Sequence, residues 1–302
     1  MDKVERVAMT SFPDVLYEEA IEGISRFSVG ISGIDVDGHR EVSRQSGSGT
    51  LVDLDGTLCI VTADHVIDHV RHRDRVGLLT DWRGESRRCV FDKIHLHYVR
   101  LPRGASEDLG PDLGAMLLPS TGEGLATLQS QKVFYNLGKR IERFASSYPA
   151  LSAGVWFPCG VLGEDSRRLP PERGFSNVTG HWGMIGLAPA PVESRRDGFD
   201  YLDLRGHLGV DLDMPDSFGG ASGGGLWQGL IEKRVDGRLN LRELIFSGVI
   251  FYQSDVLDGA RTLRSHGRAS RCRRRMREAS QAFPHPRCAR PLPQAGEAKI
   301  CA

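Results

Sequence analysis

From Phe27 onward the chain is cut into short apolar runs by turn signals, and this spacing limits its fold more than any other feature. Phe27, Val29 and Ile31 alternate, residues 49–52 and 58–62 flank Asp53-Leu54-Asp55-Gly56, and Val235-Asp236-Gly237-Arg238 supplies another turn. A period of two describes half-buried strands, and Asp-Gly between two such runs is a strong hairpin signal. Further strand candidates lie at 76–80, 89–99, 113–118, 155–159, 182–187, 201–204, 225–231 and 244–252. Their number and irregular spacing favour an all-β arrangement over alternating βα units. Two barrels joined by the looser stretch 119–152 account for the chain. Only the start differs: Val15, Leu16, Ala20, Ile21, Ile24 and Phe27 recur at helical spacing after Pro13 and Asp14.

A formal net charge of zero hides an asymmetry. Residues 261–302 hold eleven Arg or Lys and two Glu, a formal +9, which leaves −9 for residues 1–260. The block Arg271-Cys272-Arg273-Arg274-Arg275-Met276-Arg277 and the prolines 284, 286, 291 and 293 predict a basic tail of low order. Such a tail attracts an acidic protein or nucleic acid. The expected organisation is a helical extension at 1–26, a first β-barrel at 27–135, a second at 136–260 and the tail at 261–302. The six cysteines form no CxxC pair and are widely spaced, so reduced thiols are expected. Charges at Asp2, Lys3, Glu5 and Arg6 interrupt any signal-peptide core. No apolar run approaches the ~18 residues of a membrane span, and a cytoplasmic location is the expectation.

The candidate chemistry centres on Pro215-Asp216-Ser217-Phe218-Gly219-Gly220-Ala221-Ser222-Gly223-Gly224-Gly225-Leu226-Trp227, where one hydroxyl sits inside a glycine-dense turn. Such a turn exposes a nucleophile and aims backbone N–H groups at one point. Upstream, Thr62-Ala63-Asp64-His65-Val66-Ile67 offers a base at an expected strand end, and Pro111-Asp112-Leu113 offers a carboxylate opening an apolar strand. Amide hydrolysis needs these three groups in concert: Ser222 as nucleophile, His65 as base and acid, Asp112 to fix the imidazole tautomer. The N–H groups of Gly220 and Ser222 are the candidate oxyanion hole.

These segments resemble the chymotrypsin/trypsin-like serine peptidases. Gly47-Ser48-Gly49-Thr50-Leu51 with Ile60-Val61-Thr62-Ala63-Asp64-His65-Val66 is similar to the family's first strand pair and histidine turn. Pro111-Asp112-Leu113-Gly114 and Gly220-Ala221-Ser222-Gly223-Gly224 are similar to its aspartate segment and nucleophile loop. Separations of 47 and 110 residues, and a likeness spanning 27–255, imply a two-barrel chymotrypsin-like fold with the active site in the cleft. The disulfide-poor character resembles bacterial or intracellular branches. Ala221 stands where proteolytically activated members have an aspartate, so that activation switch is expected to be absent. Asp64 replaces the usual alanine before the histidine, and Gly225 the usual proline after the serine-loop glycines. The resemblance also makes Asp216 a pocket-base carboxylate selecting Arg or Lys at P1, and Phe251, Tyr252 and Gln253 the strand bordering the substrate.

The implied function is a serine endopeptidase acting on protein or peptide substrates without metal or cofactor. Two other classes compete. His65 and His69 share a helix face at i,i+4, with His72 nearby and His95 and His97 further on, but no HExxH glutamate or completing ligand set accompanies them. A protease-like binding module with a latent or inactive cleft would carry the same residues.

Overall fold

The computed structural model describes residues 12–38, 40–80, 89–101, 110–144, 147–162, 167–168, 178–179, 183–207 and 217–268. They form a mixed α/β fold of curled antiparallel sheets with an N-terminal helix. That helix, α1 (Asp14–Ser25), starts after Pro13, carries Asp14 in its first turn and buries Leu16, Ala20 and Ile24 at a spacing of four. Val15 faces out, 77% exposed.

The first sheet contains β1 (Ser28–Asp37), β2 (Arg40–Leu54), β3 (Thr57–Thr62), β4 (Arg75–Leu79), β5 (Cys89–Asp92), β6 (His97–Leu101) and β7 (Leu113–Leu117), with β8 (Tyr135–Asn136) parallel to β2. Its strand order is β5-β4-β1-β2-β3-β7-β6. The Asp-Gly signal works as expected: Leu54 pairs with Thr57, and Asp55 and Gly56 take φ of 54° and 92° in a two-residue turn. One expected strand, 89–99, is broken into β5 and β6 by a 3-10 turn at Lys93–His95.

The second sheet runs β12-β9-β15-β16-β17-β14-β13. Its members are β9 (Val155–Val161), β12 (Gly183–Ile185), β13 (Val192–Arg196), β14 (Phe199–His207), β15 (Gly225–Lys233), β16 (Leu239–Gln253) and β17 (Ala260–His266); β10 (Arg167–Arg168) and β11 (Val178–Thr179) pair with each other. Register shifts at Ile31/Ser32, Leu226/Trp227, Leu230/Ile231 and Ile250/Tyr252 add local twist to both sheets. Among the described residues each ladder has two unjoined ends, which makes these half-barrel sheets.

Three short helices depart from the all-β expectation: α2 (Asp64–Val70), α3 (Glu123–Gln131) and α4 (Leu137–Arg143). Each contributes few buried apolar anchors, Leu125 and Leu128 in α3 for example, so the helical period is faint in the sequence. The ordered sheet also extends past residue 260, where the tail was expected to follow. Strand β17 pairs with β14 and β16, and its Arg264 meets Asp203 twice at 2.8 Å. Arg268 is buried, donating to Ser247 Oγ at 3.0 Å, to the Pro149 carbonyl at 2.9 Å and to Gln228 Oε1. The remainder of the expected tail lies outside the described residues.

A central apolar cluster joins α1 to both sheets through Ile24, Val52, Val61, Phe157, Trp227 and Phe246. Trp227 is fully buried, stacked with Phe27 at 5.6 Å and edge-on to Tyr135 at 5.3 Å. Each large side chain buried this way stabilises the fold by roughly 2 kcal/mol. Cys59, Cys89 and Cys159 are free buried thiols, and burial pushes them up to about 12, 12 and 11. No helix among the described residues is long and apolar enough to cross a membrane.

Candidate active site

His65 is the second residue of α2, immediately beyond the end of β3 at Thr62. The helix cap, Ala63, has no side chain able to satisfy the exposed N–H groups of the first turn. Asp112, fully buried just ahead of β7, supplies the missing acceptor: its Oδ1 takes the His65 backbone N–H at 2.9 Å. Its Oδ2 lies 2.6 Å from His65 Nδ1. One carboxylate therefore fixes both the backbone and the ring of His65, and the Nδ1 contact leaves Nε2 as the ring's outward nitrogen. The ring remains 20% exposed.

A second clamp holds the same turn. Asp64, only 2% exposed, receives a bidentate pair from Arg100 at 2.6 and 2.9 Å, and Arg100 also reaches Asp68 at 3.0 Å. The hydrogen bond to Asp64 holds the Arg100 guanidinium above its usual range. Asp64 thus ties α2 to β6, a role the sequence gives no sign of.

The serine loop is held by backbone. Gly223 donates to the Ile250 carbonyl at 2.7 Å, Gly224 to Ala221 at 2.8 Å and Ala221 to Phe218 at 2.9 Å. Gly219 donates to Ser217 Oγ at 3.0 Å, and Phe218 to Gln253 Oε1 at 2.8 Å. Within 218–224 the N–H groups of Gly220 and Ser222 alone have no protein acceptor among the described residues. In a trans peptide the N–H points opposite to the preceding carbonyl. Since the Ala221 carbonyl is taken by Gly224, the Ser222 N–H is turned away from the loop's interior.

Ser48 holds the loop from the first sheet. Its N–H donates to the Ser222 carbonyl at 2.8 Å, and its hydroxyl donates to the Gly220 carbonyl at 2.7 Å while accepting from Val161 N at 2.8 Å. Gly223, with φ of 86°, lies so close to the β3–α2 junction that an added methyl group would overlap Thr62 Oγ1 and the Ser48 carbonyl and come within 3.1 Å of Ala63 N. A methyl on Gly47 would meet Val66 and, at 2.8 Å, the Ser222 carbonyl. Half-buried Ser222 therefore sits beside the turn that carries His65. No hydrogen bond joins the Ser222 hydroxyl to the His65 ring among the described residues. Catalytic hydrogen bonds are often long before substrate binds.

The strand expected to border the substrate lies beside the serine loop. Phe251 is 1% exposed: a bulge between Ile250 and Tyr252 turns its ring onto His266 at 4.5 Å, into the core. Gln253 braces the loop from both ends of its amide, accepting from Phe218 N and donating to Ser217 Oγ at 3.4 Å. Tyr252 is half-buried beside them. Asp216 lies outside the described residues. The i,i+4 rings of His65 and His69 sit edge-to-face at 6.3 Å, and no group of three or more His, Cys, Asp or Glu among the described residues is placed to hold a metal ion.

No protein-family model matches the chain, and a comparison with curated proteins finds no match. Among solved structures the chain is similar to the active form of the Rv3671c protease from M. tuberculosis. The identity is 14% and the TM-score 0.38, covering 90% of this chain and 89% of that one.

Proposed function

We propose that this chain is a serine endopeptidase working through Ser222, His65 and Asp112. The observation that carries the reading is a conjunction at one junction. A buried carboxylate and an imidazole 2.6 Å apart stand beside a loop in which two N–H groups lack an acceptor among the described residues, one of them that of the hydroxyl residue Ser222 itself. On this reading His65 Nε2 takes the proton as Ser222 Oγ attacks the scissile carbonyl, and Asp112 stabilises the resulting imidazolium. The Gly220 and Ser222 N–H groups receive the oxyanion, each such donor being worth about 3 kcal/mol. The imidazolium then protonates the leaving amine, and water, deprotonated by His65, releases the acyl group from Ser222.

On this reading the chain divides into two barrel units, the first at 27–135 and the second running from 136 through β17, with the cleft between them. It also makes Asp216 the pocket base that favours Arg or Lys at P1; replacing Asp216 by Ser removes that preference in a peptide-library assay. The decisive test of the chemistry is labelling with a serine-directed phosphonate followed by mass mapping. A single adduct on Ser222 that disappears in Ser222→Ala is the expected result. No adduct in folded protein favours the binding-module reading instead.

A further inference from the structure

His266, the last residue of β17, is 1% exposed and stands among aromatic rings: Phe251 at 4.5 Å, Tyr201 at 5.3 Å and Phe199 at 5.9 Å. Its Nε2 accepts the backbone N–H of Asp112 at 3.0 Å. That role leaves the ring's one proton on Nδ1. Nδ1 has no partner among the described residues. A buried unpaired N–H is destabilising, and a phenylalanine would fill the same aromatic surroundings without it. What the histidine adds over a phenylalanine is its bond to Asp112, whose buried N–H a phenylalanine would leave without an acceptor. Burial lowers His266 to about 4, against the opposing pull of Asp112 and Asp200, so the ring is a neutral acceptor near pH 7.

The position of this bond matters. Asp112 belongs to the first sheet and His266 to the second, and the Asp112 carboxylate makes two separate bonds to His65. A small shift of the Asp112 backbone lengthens both. We propose that His266 is a positioning residue that fixes the Asp112 main chain from the opposite sheet and thereby sets the orientation of His65. This rests on the peptidase reading for its consequence in catalysis, though not for its effect on the His65 ring.

The test compares His266→Phe, which keeps a ring and removes the acceptor, with His266→Gln, which restores an acceptor at the reach of Nε2. The readouts are the low-field Nδ1 proton of His65 by NMR, together with kcat and KM on a peptide substrate. For the Phe variant the low-field proton is lost, and kcat falls about 100-fold with KM little changed. The Gln variant recovers most of each change. A folded Phe variant that keeps the wild-type low-field proton and kcat would overturn the proposal, as would a folded Gln variant no better than Phe. His266→Leu supplies the same acceptor-free comparison if the Phe variant does not fold. Wild-type protein that shows the low-field proton and its loss in the Phe variant, yet neither cleaves peptides nor takes a phosphonate, retains His266 as the positioning residue and refutes the peptidase.

Discussion

The histidine side of the site is fixed by charged side chains, whereas the serine side is fixed by backbone. Asp112 and the Asp64–Arg100 pair hold the turn at His65, with both carboxylates at 2% exposure or less. The serine loop uses main-chain bonds from residues 218–224, with Ser48 and Gln253 bracing it from outside. Buried carboxylates give directional strength at a desolvation cost, so each needs its partners in place. A glycine loop instead frees particular N–H groups by committing all the others, which requires exact peptide orientation and little side-chain bulk. The two halves should consequently fail in different ways when perturbed.

The largest effect is expected at Gly223, where the left-handed backbone and the adjacent Thr62 and Ser48 oxygens leave no room for a side chain. Gly223→Ala should cost about 4 kcal/mol, combining backbone strain with overpacking, measured by denaturant unfolding. It should also abolish phosphonate labelling while the NMR signature of the His65–Asp112 contact persists in the folded fraction. Arg100→Met reverses the pattern. Taking the guanidinium from nearly buried Asp64 should cost about 3 kcal/mol, and labelling should slow through displacement of His65 with the loop intact. An unchanged melting curve for that variant would remove the Asp64–Arg100 pair from the account.

Ser48→Ala should have the smallest effect. It removes the donor to the Gly220 carbonyl and the acceptor for Val161 N, a loss of about 1 to 2 kcal/mol. Because Ser48 holds the peptide next to a proposed oxyanion donor, kcat should fall with KM nearly constant. Equal falls in affinity and turnover would make Ser48 a general structural support.

What was legible in the sequence follows the same division. Local patterns were readable: short apolar runs between turn signals marked many of the strands, Asp55-Gly56 marked its hairpin, and the density of glycine around Ser222 marked a loop governed by backbone geometry. The β3–α2 turn at His65 and the start of β7 after Asp112 were also close to expectation. Pairings between distant segments were not readable. Arg100 lies 36 residues from Asp64, and His266 lies 154 from Asp112, with no local pattern linking either pair. Arg261, Arg264 and Arg268 blended into the basic composition that follows, although Arg264 pairs with Asp203 inside the sheet and Arg268 is buried against Ser247. The inward facing of the Phe251 ring was not readable either, because a one-residue bulge reverses side-chain facing and leaves no mark in composition.

The most direct measurement is a crystal structure of the protein after reaction with the phosphonate. The account predicts phosphorus bonded to Ser222 Oγ, the phosphonyl oxygen within hydrogen-bond distance of both the Gly220 and Ser222 N–H groups, and His65 Nε2 facing the adduct. An adduct on another residue, or one on Ser222 whose phosphonyl oxygen points away from those two N–H groups, would contradict it.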